Sequence, residues 1–229
     1  MIALTTAHKG ELSPLLALLK QVHSESRSHR KYHFSQTNDI PLVLTHTGQG
    51  KICNAVQTQK LIHFFSPSLL IHFGVAGALS PELKVGDLTI ADQVWEHDYH
   101  SLRTLPPKMT LSKEWIKLFE QSLKGQKKAY KIGSFASGNE DIISQPRRDE
   151  LFHRFSSIAV DWESAASVQT ANFNSVPILI AKGISDLATE ALENSSASMK
   201  YAAQEMAYSI HSFLSELKLE QLSGLNPSL

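Results

Sequence analysis

Three acids stand out by their surroundings: Glu11, Glu163 and Asp186. Glu163 and Asp186 occupy the short runs Asp161-Trp162-Glu163 and Ser185-Asp186, each directly after a stretch that reads as a strand. Glu11 follows the first such stretch. Other strands lead into small residues: Gly48-Gln49-Gly50-Lys51, Gly74-Val75-Ala76-Gly77 and Ser137-Gly138-Asn139. Small residues let a backbone approach a ligand closely, and carboxyl groups trade protons or grip hydroxyls. In α/β sheets, ligands bind beyond the carboxyl ends of the strands. These segments should therefore meet at one edge.

Plainer readings stand beside the chemical ones. A Ser-Asp pair is commonly a turn or cap, and an acid such as Glu163 or Glu11 is favoured at any helix start. Gly48-Gln49-Gly50-Lys51 lacks the spacing of a phosphate loop, so a tight strand-to-helix turn is expected there. His97-Asp98-Tyr99-His100 offers two His without a third ligand, which predicts a loop or edge and no metal site. Cys53 lies among Ile52, Val56 and Ile62 and reads as core packing.

The elements that must position these groups alternate along the whole chain. Strands are expected over residues 1–6, 31–35, 41–47, 69–73, 88–94, 129–137, 158–161 and 177–184. Helices are expected over 11–21, 51–65, 112–124, 146–154, 164–174 and 195–222, with 24–31 a surface turn and 101–110 a loop. The run over 69–73 is continuously apolar, as suits a strand buried on both faces. This alternation predicts an α/β fold: a single-domain, three-layer α/β/α arrangement around a largely parallel mixed sheet. The domain is expected to span residues 1–224, with 225–229 a loose tail.

Bulk properties exclude several functions. Apolar residues make up 42% and charged residues 19% of the 229, an ordinary globular balance. Lys plus Arg number 22 and Asp plus Glu 22, so no net charge draws the chain to nucleic acid or an anionic membrane. The lone cysteine, Cys53, allows no internal disulfide. Lys9 and Glu11 interrupt any signal-peptide core, and no stretch reaches the roughly 20 apolar residues of a membrane span. A cytoplasmic location is the expectation.

Taken together, THTGQGKICNAVQTQKLIHFFSPSLLIHFGVAGALSPELKVGD from Thr45, then FASGNEDII, AVDWESAA and VPILIAKGISD, resemble the nucleoside phosphorylase and nucleosidase superfamily. The nearest branch is that of the 5′-methylthioadenosine/S-adenosylhomocysteine nucleosidases, with the pieces in the same order over most of the chain. The resemblance implies a nucleoside phosphorylase-like fold and hydrolysis of the bond between a purine-type base and its ribose. Asp186 matches the acid that protonates or hydrogen-bonds N7 of the leaving base. Glu163 matches the acid that holds the ribose hydroxyls and faces the oxocarbenium charge. Glu11 matches the acid that activates water, a division of labour like that in glycosidases. By the same resemblance Trp162, Ser185, Ala76, Gly77 and Ile142 border the substrate. No cofactor is implied, the partner is a small-molecule nucleoside, and a homodimer is expected through residues 51–65 and the loop over 101–107.

The sequence also departs from that family. Trp162 replaces a usual Met, Lys182 a common Arg and Val75 a frequent Ser. Asp141 falls where an aromatic residue usually stacks on the base, and a shift of one residue would put Ile142 there. Trp162 is open to a core or a pocket reading. Phosphorolysis remains a rival, since Lys51, Lys182 and His72 could meet an anion; the lack of Arg ligands favours hydrolysis. A silent nucleoside-binding protein of the same fold is the other rival.

Overall fold

The computed structural model describes residues 1–189 and 195–224. Strand β1 (Ile2–Thr6) is buried along its length and leads into helix α1 (Lys9–Leu18). Strands β2 (His23–Arg27), β3 (Arg30–Thr37) and β4 (Ile40–His46) follow, then helix α2 (Lys51–Phe65) and strand β5 (Leu69–Ala78). Next come β6 (Leu88–Glu96), β7 (Lys108–Thr110), α3 (Lys113–Gly125), β8 (Tyr130–Ser137), α4 (Gln145–Phe155) and β9 (Ser157–Asp161). The chain ends with α5 (Ser164–Phe173), β10 (Ile178–Asp186), α6 (Ser195–Glu216) and α7 (Leu219–Gly224). The expected tail, 225–229, lies outside the described residues.

The mixed α/β fold expected from the alternation is present. Parallel pairings join β1 to β4 and β5, β5 to β10, and β8 to β6 and β9. Antiparallel pairings join β2 to β3, β3 to β4, β10 to β6, β5 to β9 and β6 to β7. The long β5 serves two neighbourhoods: its start lies between β1 and β10, and its end reaches β9 through Gly77 and Ala78. The order β10-β6-β8-β9 thus returns to β5 and closes a ring of five strands, with β1, β4, β3 and β2 extending from it. Register shifts that skip Asp92 in β6, Ile158 in β9 and Ser185 in β10 supply the bends that closure needs.

Helices α1, α3 and α6 pack together, with α6 lying on β10 and β5, while α2 and α5 form a separate pair. The approach of α6 to the sheet is close: a Cβ on Gly183 would stand 2.6 Å from Ala202 O. One apolar cluster runs from Ile2 and Leu4 through Ile71 and Phe73 to Met206 and Phe213.

Several expectations are corrected. Residues 24–31 are not a surface turn but most of a hairpin, β2–β3, turning at Ser28 and His29 with φ of 51° and 62°. Those angles suit a two-residue hairpin, though neither residue is glycine. β5 does not end at Phe73; Gly74 to Gly77 continue it. Part of the 101–110 loop forms β7 against β6. The terminal helix is two helices, interrupted at Leu217 and Lys218. Cys53 is exposed, because α2 buries Asn54, Gln57, Thr58, Leu61 and Ile62 on its other face.

Candidate active site

Glu11 is set by the start of α1. The His8 N–H donates to Glu11 Oε2 at 2.8 Å, while His8 Nδ1 accepts the Gly10 N–H at 3.1 Å. This reciprocal cap satisfies two of the donors at the helix start. The other oxygen, Oε1, accepts the Val75 N–H at 2.9 Å, so Glu11 ties α1 to β5. The contact requires glycine at position 74. Its φ is 152°, and a Cβ there would stand 2.3 Å from Glu11 Oε1. Glu11 is only 6% exposed.

Glu163 sits between β9 and α5, 5% exposed, and its Oε1 accepts the Gly50 N–H at 2.8 Å. Gly50 belongs to the turn that starts α2, and its φ of 85° agrees with the expected tight turn. That turn is anchored from both sides. Lys51 Nζ lies 2.6 Å from both Glu96 and Asp98, and the Lys51 N–H donates to Asn139 Oδ1 at 3.0 Å. Asp98 Oδ2 in turn accepts the Asn139 N–H at 2.9 Å. His97 lies, as expected, outside regular structure, in the turn after β6, yet it is buried; Gly138, which has no side chain to collide with it, passes alongside. His100 is exposed.

Beneath the acids runs a fully buried polar chain. Lys182 Nζ lies 3.1 Å from Asp161 Oδ2 and 3.1 Å from His72 Nε2. An ammonium only donates, so His72 Nε2 accepts and its proton sits on Nδ1, 3.0 Å from Thr5 Oγ1. Asp161 also accepts the Ser164 N–H at 3.1 Å and its hydroxyl at 2.5 Å. Burial and the neighbouring Lys182 hold His72 neutral, well below its ordinary pKa. Burial opposes the charge on Asp161, but Lys182 and the hydrogen bond from Ser164 outweigh it and hold the carboxyl below its usual range. Burial and the charge on Asp161 push Glu163 up to about 7. Burial alone would lower Lys182, yet Asp161, Glu11 and Glu163 raise it.

His72, Asp161 and Glu163 offer ligand atoms within 4.8 Å of one another, a spacing a metal ion could use. Lys182 already bridges two of them with its ammonium, so a cation there would face a positive charge in place.

Asp186 ends β10. A register shift at Ser185 sets it opposite Gly77, where a Cβ would stand 3.0 Å from Asp186 Oδ1. Oδ1 accepts the Ala188 N–H at 2.9 Å. Ser185 Oγ lies 2.8 Å from Asp186 Oδ2 and 3.2 Å from the Ala76 carbonyl. Beside it lies a second apolar cluster that includes Leu79, Ile142, Leu151, Phe155, Val160 and Ala188. Asp141 is exposed, whereas Ile142 is buried within this cluster. Trp162 is half-buried, belongs to neither apolar cluster, and donates from Nε1 to the Glu140 carbonyl at 3.0 Å.

The fold thus brings Glu11 and Glu163 around Lys182 and sets Asp186 across β5 from Glu11. Reading the sequence left out Gly50 and Val75 as backbone partners of the acids, Gly74 as the residue that leaves room for Glu11, and Asp161 as the partner of Lys182. A lysine inside the apolar strand VPILIAKGISD is the signal that could have found the last, since a buried charge needs a partner.

The model of the phosphorylase superfamily matches residues 1–217. A 5′-methylthioadenosine/S-adenosylhomocysteine nucleosidase of Staphylococcus aureus is 31% identical over 228 residues, covering 95% of this chain and 100% of the relative. Among solved structures, the S-adenosylhomocysteine nucleosidase of Streptococcus pyogenes in complex with 5-methylthiotubericidin superposes with a TM-score of 0.88 at 26% identity, over 95% of this chain and 97% of that one. The native futalosine hydrolase of Helicobacter pylori gives 0.89 at 25% identity, over 94% and 97%.

Proposed function

The chain belongs to the phosphorylase superfamily, and from that membership we propose that it is a nucleosidase hydrolysing the N-glycosidic bond of a purine-type nucleoside resembling methylthioadenosine or adenosylhomocysteine. Water is the nucleophile and the base is the leaving group. The observation that carries this reading is the pair of buried carboxylates, Glu11 held by the Val75 N–H and Glu163 by the Gly50 N–H, drawn from distant parts of the chain around one lysine. Glu11 takes the proton of the attacking water as its oxygen bonds to C1′. Glu163 grips the ribose hydroxyls and stabilises the positive charge on the sugar. Asp186 delivers a proton to N7 as the bond to the base breaks. Ala76 and Gly77 let the nucleoside approach β5, Ser185 steadies Asp186, Ile142 packs on the base, and Trp162 borders the ribose. The reaction needs no cofactor.

Hydrolysis is favoured over phosphorolysis because the basic groups weighed as phosphate ligands are committed elsewhere. His72 and Lys182 bind each other under the site, and Lys51 binds Glu96 and Asp98. A panel of purine nucleosides, incubated with and without phosphate and resolved by chromatography, tests this. Free base and free pentose should form at equal rates in both; ribose 1-phosphate as the main product would overturn the reading.

The pH dependence follows from Glu163. With its pKa raised to about 7, the group is largely protonated below neutrality and carries its charge only above it. Because kcat/KM reports the free enzyme, it should rise with pH through that region. Glu163→Gln should lose this limb and raise KM along with any fall in kcat, since a ribose ligand also holds the ground state. Stability has the opposite sign. A carboxyl whose folded pKa exceeds its unfolded value contributes fully below the unfolded value of about 4.5 and loses that contribution as pH rises through about 7. A rate limb centred at an ordinary carboxylate pKa would contradict the assignment.

A cytoplasmic homodimer completes the proposal. No helix among the described residues is long and apolar enough to cross a membrane. On α2, Leu61 is buried while Ile52 and Val56 are exposed; in the 101–107 loop Leu102 and Leu105 are exposed as well. Apolar groups left in water on these two segments support pairing through them. Light scattering at micromolar concentration should give twice the chain mass, and a single-chain mass would refute it.

A further inference from the structure

We propose that His8, Arg30 and His46, beside the Glu11–Glu163 pair, form a recognition site for a carboxylate on the 5′ substituent of the nucleoside; this rests on the nucleosidase reading. The loops after β1 and β4 run side by side, with Thr47 N–H bonded to Thr6 O at 2.8 Å and Gly48 N–H to Ala7 O at 3.0 Å. The first loop supplies His8, and Glu11 follows in the first turn of α1. The second supplies Gly50, whose N–H holds Glu163. Arg30, from β3, reaches across: Nη1 lies 3.0 Å from His46 Nε2, and Nη2 donates to the Thr47 carbonyl at 3.2 Å.

The hydrogen bonds fix what this group can offer. A guanidinium cannot accept, so His46 Nε2 is the acceptor and its ring proton sits on Nδ1. His8 Nδ1 accepts the Gly10 N–H, so its proton sits on Nε2. Two imidazole N–H donors and a guanidinium remain, all of them donors, which is the chemistry of an anion site. Arg30 makes no ion pair among the described residues. Burial, and after it Arg30 and the nearby His8, His33 and Lys9, lower the pKa of His46, in keeping with the neutral ring that accepts from Arg30. Arg30 and His46 are half-buried and His8 is exposed, so the group borders solvent as the end of a substituent would.

The order of strands gives the direction. Across β10, β5, β1 and β4 come Asp186, then the Glu11 contact at Val75, then His8, then His46. With the base at Asp186, C1′ faces the base and the hydroxyls face Glu163. The remaining ribose carbon that carries a substituent is C5′, and it points toward β1 and β4. An inorganic phosphate shares the anion chemistry, so the test must separate the two sources.

The experiment compares two 5′-thioethers of adenosine with side chains of equal length, one ending in a carboxylate and the other in its neutral carboxamide. Adenine release is followed with and without phosphate. Wild type should hydrolyse both and favour the carboxylate by about 10-fold in kcat/KM, the scale of one charge-assisted hydrogen bond, with the preference shrinking as salt rises. Arg30→Gln and, separately, His46→Gln should each reduce the preference, Arg30→Gln to near parity; turnover of the carboxamide reports that the variants fold. Equal turnover of the two substrates by wild type, or a preference that survives both substitutions, overturns the carboxylate site and leaves the nucleosidase reading standing. Hydrolysis of neither substrate overturns both. Phosphate-stimulated formation of a ribose 1-phosphate product would assign the cluster to phosphate and overturn the proposal.

Discussion

Asp186→Asn should lower kcat by about 10²–10⁴-fold, the usual cost of a lost general acid, while nucleoside affinity changes little. The substitution is nearly silent for the fold. An Asn Oδ1 can keep the Ala188 N–H that Asp186 Oδ1 now accepts at 2.9 Å. Its amide can donate to Ser185 Oγ, which now lies 2.8 Å from Oδ2, leaving the Ser185 proton to the Ala76 carbonyl. The amide can also hydrogen-bond N7 of a bound base. What it cannot do is release a proton as the glycosidic bond breaks. An interaction that strengthens only in the transition state appears in kcat and not in ground-state binding. Steady-state kinetics with the best substrate, set beside equilibrium binding of the same nucleoside, separates the two. Near-normal kcat would remove Asp186 from the acid's role, and with it the main support for the mechanism.

How far the sequence could be read depended on whether a signal was local. The helix over 51–65 was legible to the residue, because a glycine turn starts it and Pro67 follows it. The β2–β3 hairpin was not, because β2 is exposed throughout and carries no apolar alternation, and its turn residues are Ser and His instead of Gly. Gly74 and Gly77 read as strand breakers. In fact they let β5 continue where a side chain would meet Glu11 or Asp186. Ring closure through β5 and β9 is a long-range pairing that leaves no mark on either strand alone. The acids themselves were found through several motifs in register, not through their own neighbours. Lys182 and His72 were weighed as anion ligands from their types, and only three dimensions reveal that they bind each other and Asp161.

Lys182→Met should destabilise the fold by about 3–5 kcal/mol, the cost of breaking a buried ion pair from one side. Against a total stability of about 5–15 kcal/mol, that is a large share. Lys182 is fully buried, and Met matches its unbranched shape, so packing is largely kept. The charge is not. Asp161 would retain the two hydrogen bonds from Ser164 but lose the cation 3.1 Å away. His72 Nε2 would lose its donor as well. Lys182 also lowers Glu163, so its removal should move the rising limb of the pH–rate profile above the wild-type midpoint near 7. Denaturant unfolding measures the first effect and kcat/KM against pH the second. The double variant Lys182→Met with Asp161→Asn keeps the test informative if the single variant fails to fold. Removing both charges together leaves no buried ion without a partner, so it should be more stable than Lys182→Met alone. A single variant as stable as wild type, or a double variant less stable than the single one, would show that the pair does not balance the site in this way.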